Sequence, residues 1–176
     1  METLELLLSR RSIRSYTGEK VSKEVEQAVL KAGYAAPVGM GRYDGLHITV
    51  ITDPGFLSDL DRAGAEMFGK PDIHPLYGAP ELILVSVCPA GETIGNVEYS
   101  NAAIVAHNMS LAADDAGAGT VLIWGAIRAL NNSPQLVARL GLPEGFLPCC
   151  ALTLGVTKET YAVRDIPDGR IGTTYL

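Results

Sequence analysis

The sequence predicts a single mixed domain in which helices and strands alternate. Three observations lead there. Segments with apolar residues at helical spacing take turns with short runs of β-branched and aliphatic residues. The 176 residues suffice for one core that buries roughly 70% of the unfolded surface. The composition, 47% hydrophobic and 19% charged with 19 glycines, lies on the apolar side of soluble norms and suits close packing and a buried subunit interface. No internal repeat or low-complexity segment interrupts this pattern.

Leu4, Leu7 and Leu8 fall at helical spacing and predict a short first helix. Ser22 is a candidate N-cap for a second, with Val25, Ala28, Val29 and Ala32 on one face and Pro37 closing it. The stretch from Ala35 to Gly45 holds three glycines within seven residues, which suits either a plain loop or close approach of bare main chain to a flat ligand. A strand follows at Leu46–Ile51, and Asp53-Pro54 opens a helix that points Leu57, Leu60 and Met67 at the core. Between Gly69 and Pro80 the prolines and glycines predict irregular surface chain.

The run Leu82–Val87 is nearly all apolar, the pattern of a strand buried on both faces at the centre of a sheet. From Val97 to Ala116, Ala102, Val105, Met109, Ala112 and Ala113 recur at helical intervals and predict the longest and most buried helix. Gly117-Ala118-Gly119 ends it and leads into a strand, Thr120–Ala126, that finishes around the single tryptophan. Trp124 is either core filler or the neighbour of a planar ligand. Ser133-Pro134 predicts a capped short helix ending at Gly141, and Leu147–Leu154 a last central strand. The tail from Lys158 to Leu176 reads as polar and irregular and carries Arg164 and Arg170.

The densest charge is Arg10-Arg11-Ser12-Ile13-Arg14, three arginines within five residues of a chain whose net charge is −6. Cations at a helix C-terminus complement its dipole by roughly 0.3–1 kcal/mol each. The same guanidinium forks and hydroxyl also suit a doubly charged phosphate. The overall acidity argues against nucleic acid and anionic membranes as partners, so any phosphate site is local. There is no run of 18 apolar residues, and Met1-Glu2-Thr3-Leu4-Glu5 has no basic lead into an apolar stretch. Neither membrane span nor signal peptide is expected, and the cytoplasm is the default location. Cys88, Cys149 and Cys150 read as buried reduced thiols. His47, His74 and His107 are scattered without metal-ligand spacing, so no metal is expected. No Gly-x-x-x-x-Gly-Lys loop or strand-linked Gly-x-Gly-x-x-Gly is present.

In order and spacing these residues resemble the nitroreductase family of flavin mononucleotide (FMN) enzymes over nearly the whole chain. Five features carry the resemblance: the Arg10–Tyr16 block, the helix running into Ala35-Ala36-Pro37, and the Ala79-Pro80 step before a buried strand. The others are the alanine-rich Asn101–Ala113 helix containing Asn108, and Gly117-x-Gly119-Thr120 leading to Leu122-Ile123-Trp124-Gly125. The resemblance implies an α+β sandwich of residues 1–176, with a mixed, mostly antiparallel sheet flanked by helices. It also implies an intertwined homodimer with two FMN sites at its interface. In that arrangement Arg10, Arg11, Ser12 and Arg14 meet the FMN phosphate and ribityl chain, joined by Arg164. Pro37, Val38, Gly39 and Gly41 approach the isoalloxazine from the partner subunit, and Ile123, Trp124 and Gly125 lie along it near N5. An FMN phosphate carries roughly −1.5 to −2 charges, which two or three arginines neutralise.

The implied activity is ping-pong hydride transfer from NAD(P)H through FMN to a nitro compound, quinone or other small acceptor, with no catalytic side chain required. A flavin protein of the same fold with another task (dehalogenation, flavin breakdown or flavin storage) is the alternative, because fold does not fix chemistry. A structural domain with a fortuitous basic cluster is the third reading. The family's Asn-x-Gln-Pro-Trp-like run is replaced here by Gly41–Leu46, where Arg42 or Tyr43 either reads the flavin's pyrimidine edge or faces the substrate. The chain is also short for the family, which implies a reduced helical cover over the substrate.

Overall fold

The computed structural model describes residues 2–176. Strand β2 (Glu81–Val87) is buried along its whole length, as its nearly all-apolar run predicts, and takes an inner place in the sheet. Strand β1 (Leu46–Ile51) lies on one side of it and β4 (Leu147–Gly155) on the other, with β3 (Gly119–Leu122) beyond β4. All three pairings are antiparallel, so the parallel component expected of a mixed sheet is not found among the described residues.

Because side chains alternate across a strand, β2 serves two cores. Leu82 and Leu84 pack with Phe56, Leu57 and Leu60 of α3 (Pro54–Met67) and with Ala126, Ile127 and Leu130 of α5 (Trp124–Asn131). Ile83, Val85 and Val87 pack on the other face with Val29 of α2 (Lys23–Tyr34) and with Val105, Ala106 and Met109 of α4 (Asn96–Asp115). The sheet is thus covered by helices on both faces.

Local chemistry sets the helix ends. The Ser22 hydroxyl accepts from the Val25 amide at 3.3 Å, and the Asp53 carboxylate accepts from that of Phe56 ahead of Pro54. Ser133 departs from expectation: its side chain makes no capping bond, and α6 (Pro134–Arg139) starts on proline alone. In α2 the inward stripe is Val25, Val29 and Gly33, while Ala28 is exposed, because residues four apart stack on one side. Met67 is only partly buried. A Cβ on Gly33 would sit 2.9 Å from Met109 Cγ, so α2 and α4 approach closely there. The Asn108 amide ties the same crossing by donating to Ala32 O at 3.3 Å.

The strand expected over Thr120–Ala126 stops at Leu122, and Trp124 begins α5. Ala126, Ile127, Ala129 and Leu130 form an apolar helical face that is buried against α3 and the sheet, and this packing outweighs the short β-branched run before it. Cys149 is buried but Cys88 and Cys150 are only partly so, which corrects the expectation of three buried thiols; all three are free. Among the described residues no helix is long and apolar enough to cross a membrane.

At one end of the sheet Gly119 and Gly155 face each other in register. A Cβ on Gly155 would meet Pro80 Cδ at 2.6 Å and Tyr16 Cδ1 at 3.0 Å; one on Gly119 would meet Ile13 Cγ2 at 2.8 Å. The missing side chains make the seat for residues 13–16. Gly155→Ala is therefore expected to cost about 1–3 kcal/mol through overpacking against a rigid proline ring, read as a lowered urea midpoint with unchanged slope.

Candidate functional site

Helix α1 (Thr3–Ser9) ends where the basic residues begin, with Arg10 as its C-cap. From there the chain runs along the β3 edge. The Ile13 amide donates to Thr120 O at 2.8 Å and its side chain is wholly buried. The Tyr16 hydroxyl donates to Ile13 O at 3.1 Å and bonds the hydroxyl of Thr153, which accepts from the Val121 amide at 3.1 Å. Burial pushes the Tyr16 phenol up to about 12, so it stays neutral. Arg14, held between these two anchors, is exposed.

The polypeptide from Val156 onward returns alongside this block. The Thr17 amide donates to Val156 O and that of Val156 to Glu19 O, both at 3.0 Å. Thr157 Oγ1 donates to Ser15 O at 2.9 Å, and an Arg11 guanidinium nitrogen to Thr160 O at 3.4 Å. Arg164 Nε donates to Leu8 O at 2.8 Å. The two ends of the chain are thus laced together in antiparallel sense, and Arg164 reaches the arginine block through the carbonyl end of α1.

Beside this lacing lies a cleft of about 870 Å³. Among the described residues Arg14 is its one fixed cation, with the guanidinium carbon 5.8 Å from the centre of the Tyr77 ring. Val121, Leu122, Ile123, Trp124 and Gly125 form one wall. Leu122 is 44% exposed and Trp124 61%, an apolar strip turned outward into a concave surface and not into the core. Tyr99 stands 5.9 Å from Trp124, ring centre to ring centre. The strip ends at the N-terminus of α5, where Ile123 offers no side-chain cap, so the first amides of that helix are unclaimed donors.

Beneath the block is a buried polar cluster. Ser110 and Thr120 share a hydrogen bond of 2.8 Å, Thr120 lies 3.5 Å from Asp114 Oδ1, and the Tyr161 hydroxyl donates to Ala118 O at 2.6 Å beside the same carboxyl. Asp114 is 2% exposed and its Oδ2 has no hydrogen-bond partner. Burial pushes it up to about 6, against the opposing pull of Tyr161, Arg10 and Thr120. Burial also lowers His107 below its ordinary value, and the Arg10 charge adds to that. The two thiols on β4 are pushed up by burial, Cys149 to about 12 and Cys150 to about 11, so neither is a thiolate nucleophile at neutral pH.

Of the residues singled out in the sequence, the structure brings Arg14, Ile123, Trp124 and Gly125 together in the cleft. Arg10 faces Asp114 and His107 on α4, and Arg11 is drawn toward Thr160 and to 3.9 Å from Glu159. Ser12 is half-buried. Pro37, Val38, Gly39 and Gly41 do not line this cleft within one protomer. Gly39 instead donates its amide to Asn101 Oδ1 at 3.0 Å and borders a smaller cavity of about 210 Å³ with Arg42 and Cys88. Several cleft residues were not singled out in the sequence, Phe68, Ile73, His74 and Tyr77 among them. Nothing in their spacing marks them; only the position of the 68–80 segment over the cleft does.

The nitroreductase family profile matches residues 7–156. A protein of Methanothermobacter thermautotrophicus provisionally named NADH dehydrogenase/NAD(P)H nitroreductase is 28% identical over 174 residues, covering 96% of this chain and 84% of its own. The FMN reductase [NAD(P)H] of Bacillus subtilis is 28% identical over 88% of this chain, which spans 65% of that protein's length. Among solved structures, a nitroreductase with bound FMN from Bacteroides fragilis is 26% identical and superposes with a TM-score of 0.78, covering 99% of this chain and 100% of its own.

The Asp114 carboxyl sets a pH dependence. Between its ordinary value of 3.8 and the folded value of about 6 the folded chain holds a proton that the unfolded chain has lost. Its contribution to stability is therefore complete below about pH 4 and is lost as pH rises through 6. Asp114→Asn keeps the shape without the charge. Its urea midpoint is expected to exceed the parent's at pH 7.5 and to converge with it near pH 4.

Proposed function

The chain belongs to the nitroreductase family, and on that footing we propose that it is an FMN-dependent NAD(P)H oxidoreductase acting on nitro, quinone or comparable small acceptors. One observation carries the reading: a single exposed cation, Arg14, faces an outward apolar strip that ends on the uncapped amides of α5. That is the donor set a flat, apolar ring with an anionic tail requires, and the cleft volume is within the range of cofactor pockets. The FMN reductase and the FMN-bound nitroreductase among its relatives support the same cofactor and donor.

Bound there, FMN supplies a hydride acceptor that later returns two electrons to a second substrate at the same face. The protein's part is to bind, orient and tune. Arg14 neutralises anionic oxygen, with Arg10 and Ser12 beside it on the same block. Arg11 and Arg164 stand near that set and are already engaged in part, Arg11 with Thr160 O and Glu159 and Arg164 through Nε with the Leu8 carbonyl. The amides of Trp124 and Gly125 offer donors where negative charge gathers on a reduced ring, in the manner of an oxyanion hole. Trp124, Tyr77 and Phe68 line the opening and favour flat substrates.

We assign the working unit as a homodimer. Val97 and Ile104 are exposed apolar side chains on α4, which otherwise builds the core, and Leu4 and Leu7 are exposed on α1, which packs beside it. In the dimer the Pro37–Gly41 loop serves the cofactor of the other protomer, which accounts for its distance from the cleft of its own. The three free cysteines suit the reducing cytoplasm.

Purified protein titrated with FMN is expected to quench flavin fluorescence, and reduced nicotinamide to bleach the bound flavin. Arg14→Ala is expected to weaken FMN by roughly 10- to 100-fold, the scale of one charge-assisted contact. A parent protein that takes up no FMN, or an unchanged affinity in the variant, overturns the reading. For the dimer, sedimentation is expected to give twice the 18.6 kDa chain mass. Ile104→Glu is expected to halve that mass and to lose flavin at the same time.

A further inference from the structure

We infer that His74, clasped by Asp61, is the proton donor to the electron acceptor in this cleft. The inference rests on the cleft being the flavin site proposed above.

The two residues are thirteen apart in sequence, Asp61 on α3 and His74 on the irregular segment after it. Both oxygens of the carboxylate are engaged. Oδ1 accepts the Leu76 amide at 2.7 Å and Oδ2 lies 2.8 Å from His74 Nδ1. A carboxylate can only accept, so Nδ1 carries a proton and the ring is locked in one orientation. Among the described residues no hydrogen bond claims Nε2, and the His74 side chain is 76% exposed while lining the same cleft as Arg14 and Trp124.

The segment also carries strain. Tyr77 sits at φ +56° and Gly78 at φ +71°, and the turn is closed by the Tyr77 amide on His74 O at 2.8 Å. A bulky residue in the left-handed region is strained, and such strain gathers at functional sites. Here the tight turn sets His74 and Tyr77 side by side on one wall of the cleft.

The chemistry proposed for the site offers such a group a proton to deliver. A quinone that takes a hydride from the reduced cofactor gains two electrons and one hydrogen and becomes a hydroquinone monoanion, while the cofactor returns to its oxidised form. The new O–H bond forms on the oxyanion as the Nε2–H bond of the imidazolium breaks, and solvent reprotonates the imidazole. General-acid assistance of this kind is worth about 10²–10⁴-fold when fully expressed, and less where water competes. A one-electron acceptor such as ferricyanide takes up no proton and gains nothing from it.

The test uses FMN-loaded parent, His74→Asn and Asp61→Asn. Asparagine at 74 keeps a donor for Asp61 and removes Nε2. In stopped flow, the ratio of menadione to ferricyanide reoxidation rates is expected to fall about 10-fold or more in His74→Asn, with flavin occupancy and bleaching by reduced nicotinamide retained. Nitrogen-15 spectra of the flavin-free parent, recorded at alkaline pH where the ring is neutral, are expected to show His74 as the Nδ1–H tautomer, leaving Nε2 as the site that takes up and delivers the proton, and Asp61→Asn to redistribute it. An unchanged acceptor ratio in His74→Asn overturns the inference and leaves the flavin reading standing. A parent that binds no flavin overturns both.

Discussion

The arrangement depends on the seating of Ile13 and Tyr16 against the end of β3 and β4. Two facing glycines remove the side chains that would occupy that space, and a buried threonine on an inner strand takes the tyrosine hydroxyl. Both anchors face inward, so the residue between them cannot. Arg14 is turned toward solvent at the lip of a cleft by the same packing that buries its neighbours. A charge on a long flexible side chain loses about 1.5–2 kcal/mol of rotamer freedom when ordered, and a fixed backbone with a tyrosine face alongside reduces what must be lost on binding. The site's electrostatics therefore follow from hydrophobic and hydrogen-bonded contacts on the opposite side of the chain.

The rest of the cleft is built in a different way. α5 starts immediately after a four-residue strand, with an intervening Ile123 whose amide is still bonded to Ala151 O at 2.8 Å. The N-cap position thereby falls to Ile123, whose side chain has no acceptor, and the helix begins at the opening with Trp124 and Gly125. The opposite wall is the irregular 69–80 segment, which is held to α3 by Asp61 at two points. One wall is regular and offers backbone donors, and the other is strained and offers side chains.

Much of this is legible in the residues and some is not. The buried run at 82–87, the long alanine-rich helix and the arginine block after a short helix all follow from local pattern, because each is decided by burial or charge within its own segment. The turn at Trp124 is not legible: Thr120 to Trp124 reads as strand on its own, and only the packing of Ile127 and Leu130 against Leu57 and Leu60 explains why helix begins there. Ala28 falls on the wrong face for a related reason, since four alanine and valine positions admit two helical faces and the choice lies with Met109 across the interface. The Asp61–His74 contact has no sequence signal. It joins a helix to a loop whose path is set by prolines, and periodicity carries no information about such a path. The resemblance to the nitroreductase family supplies the fold and the cofactor that local pattern does not.

The lacing of residues 8–19 with residues 156–164 has a bearing on how the protein comes into being. A ribosome releases the arginine block first and Arg164 some 150 positions later, by which time both cores have all their strands and helices. The basic segment must wait, unpaired, through nearly the whole of translation. Lacing of the two ends is accordingly among the closing events of biogenesis, and a nascent polypeptide stalled before residue 156 would carry a nearly finished interior with its basic segment untethered from the tail.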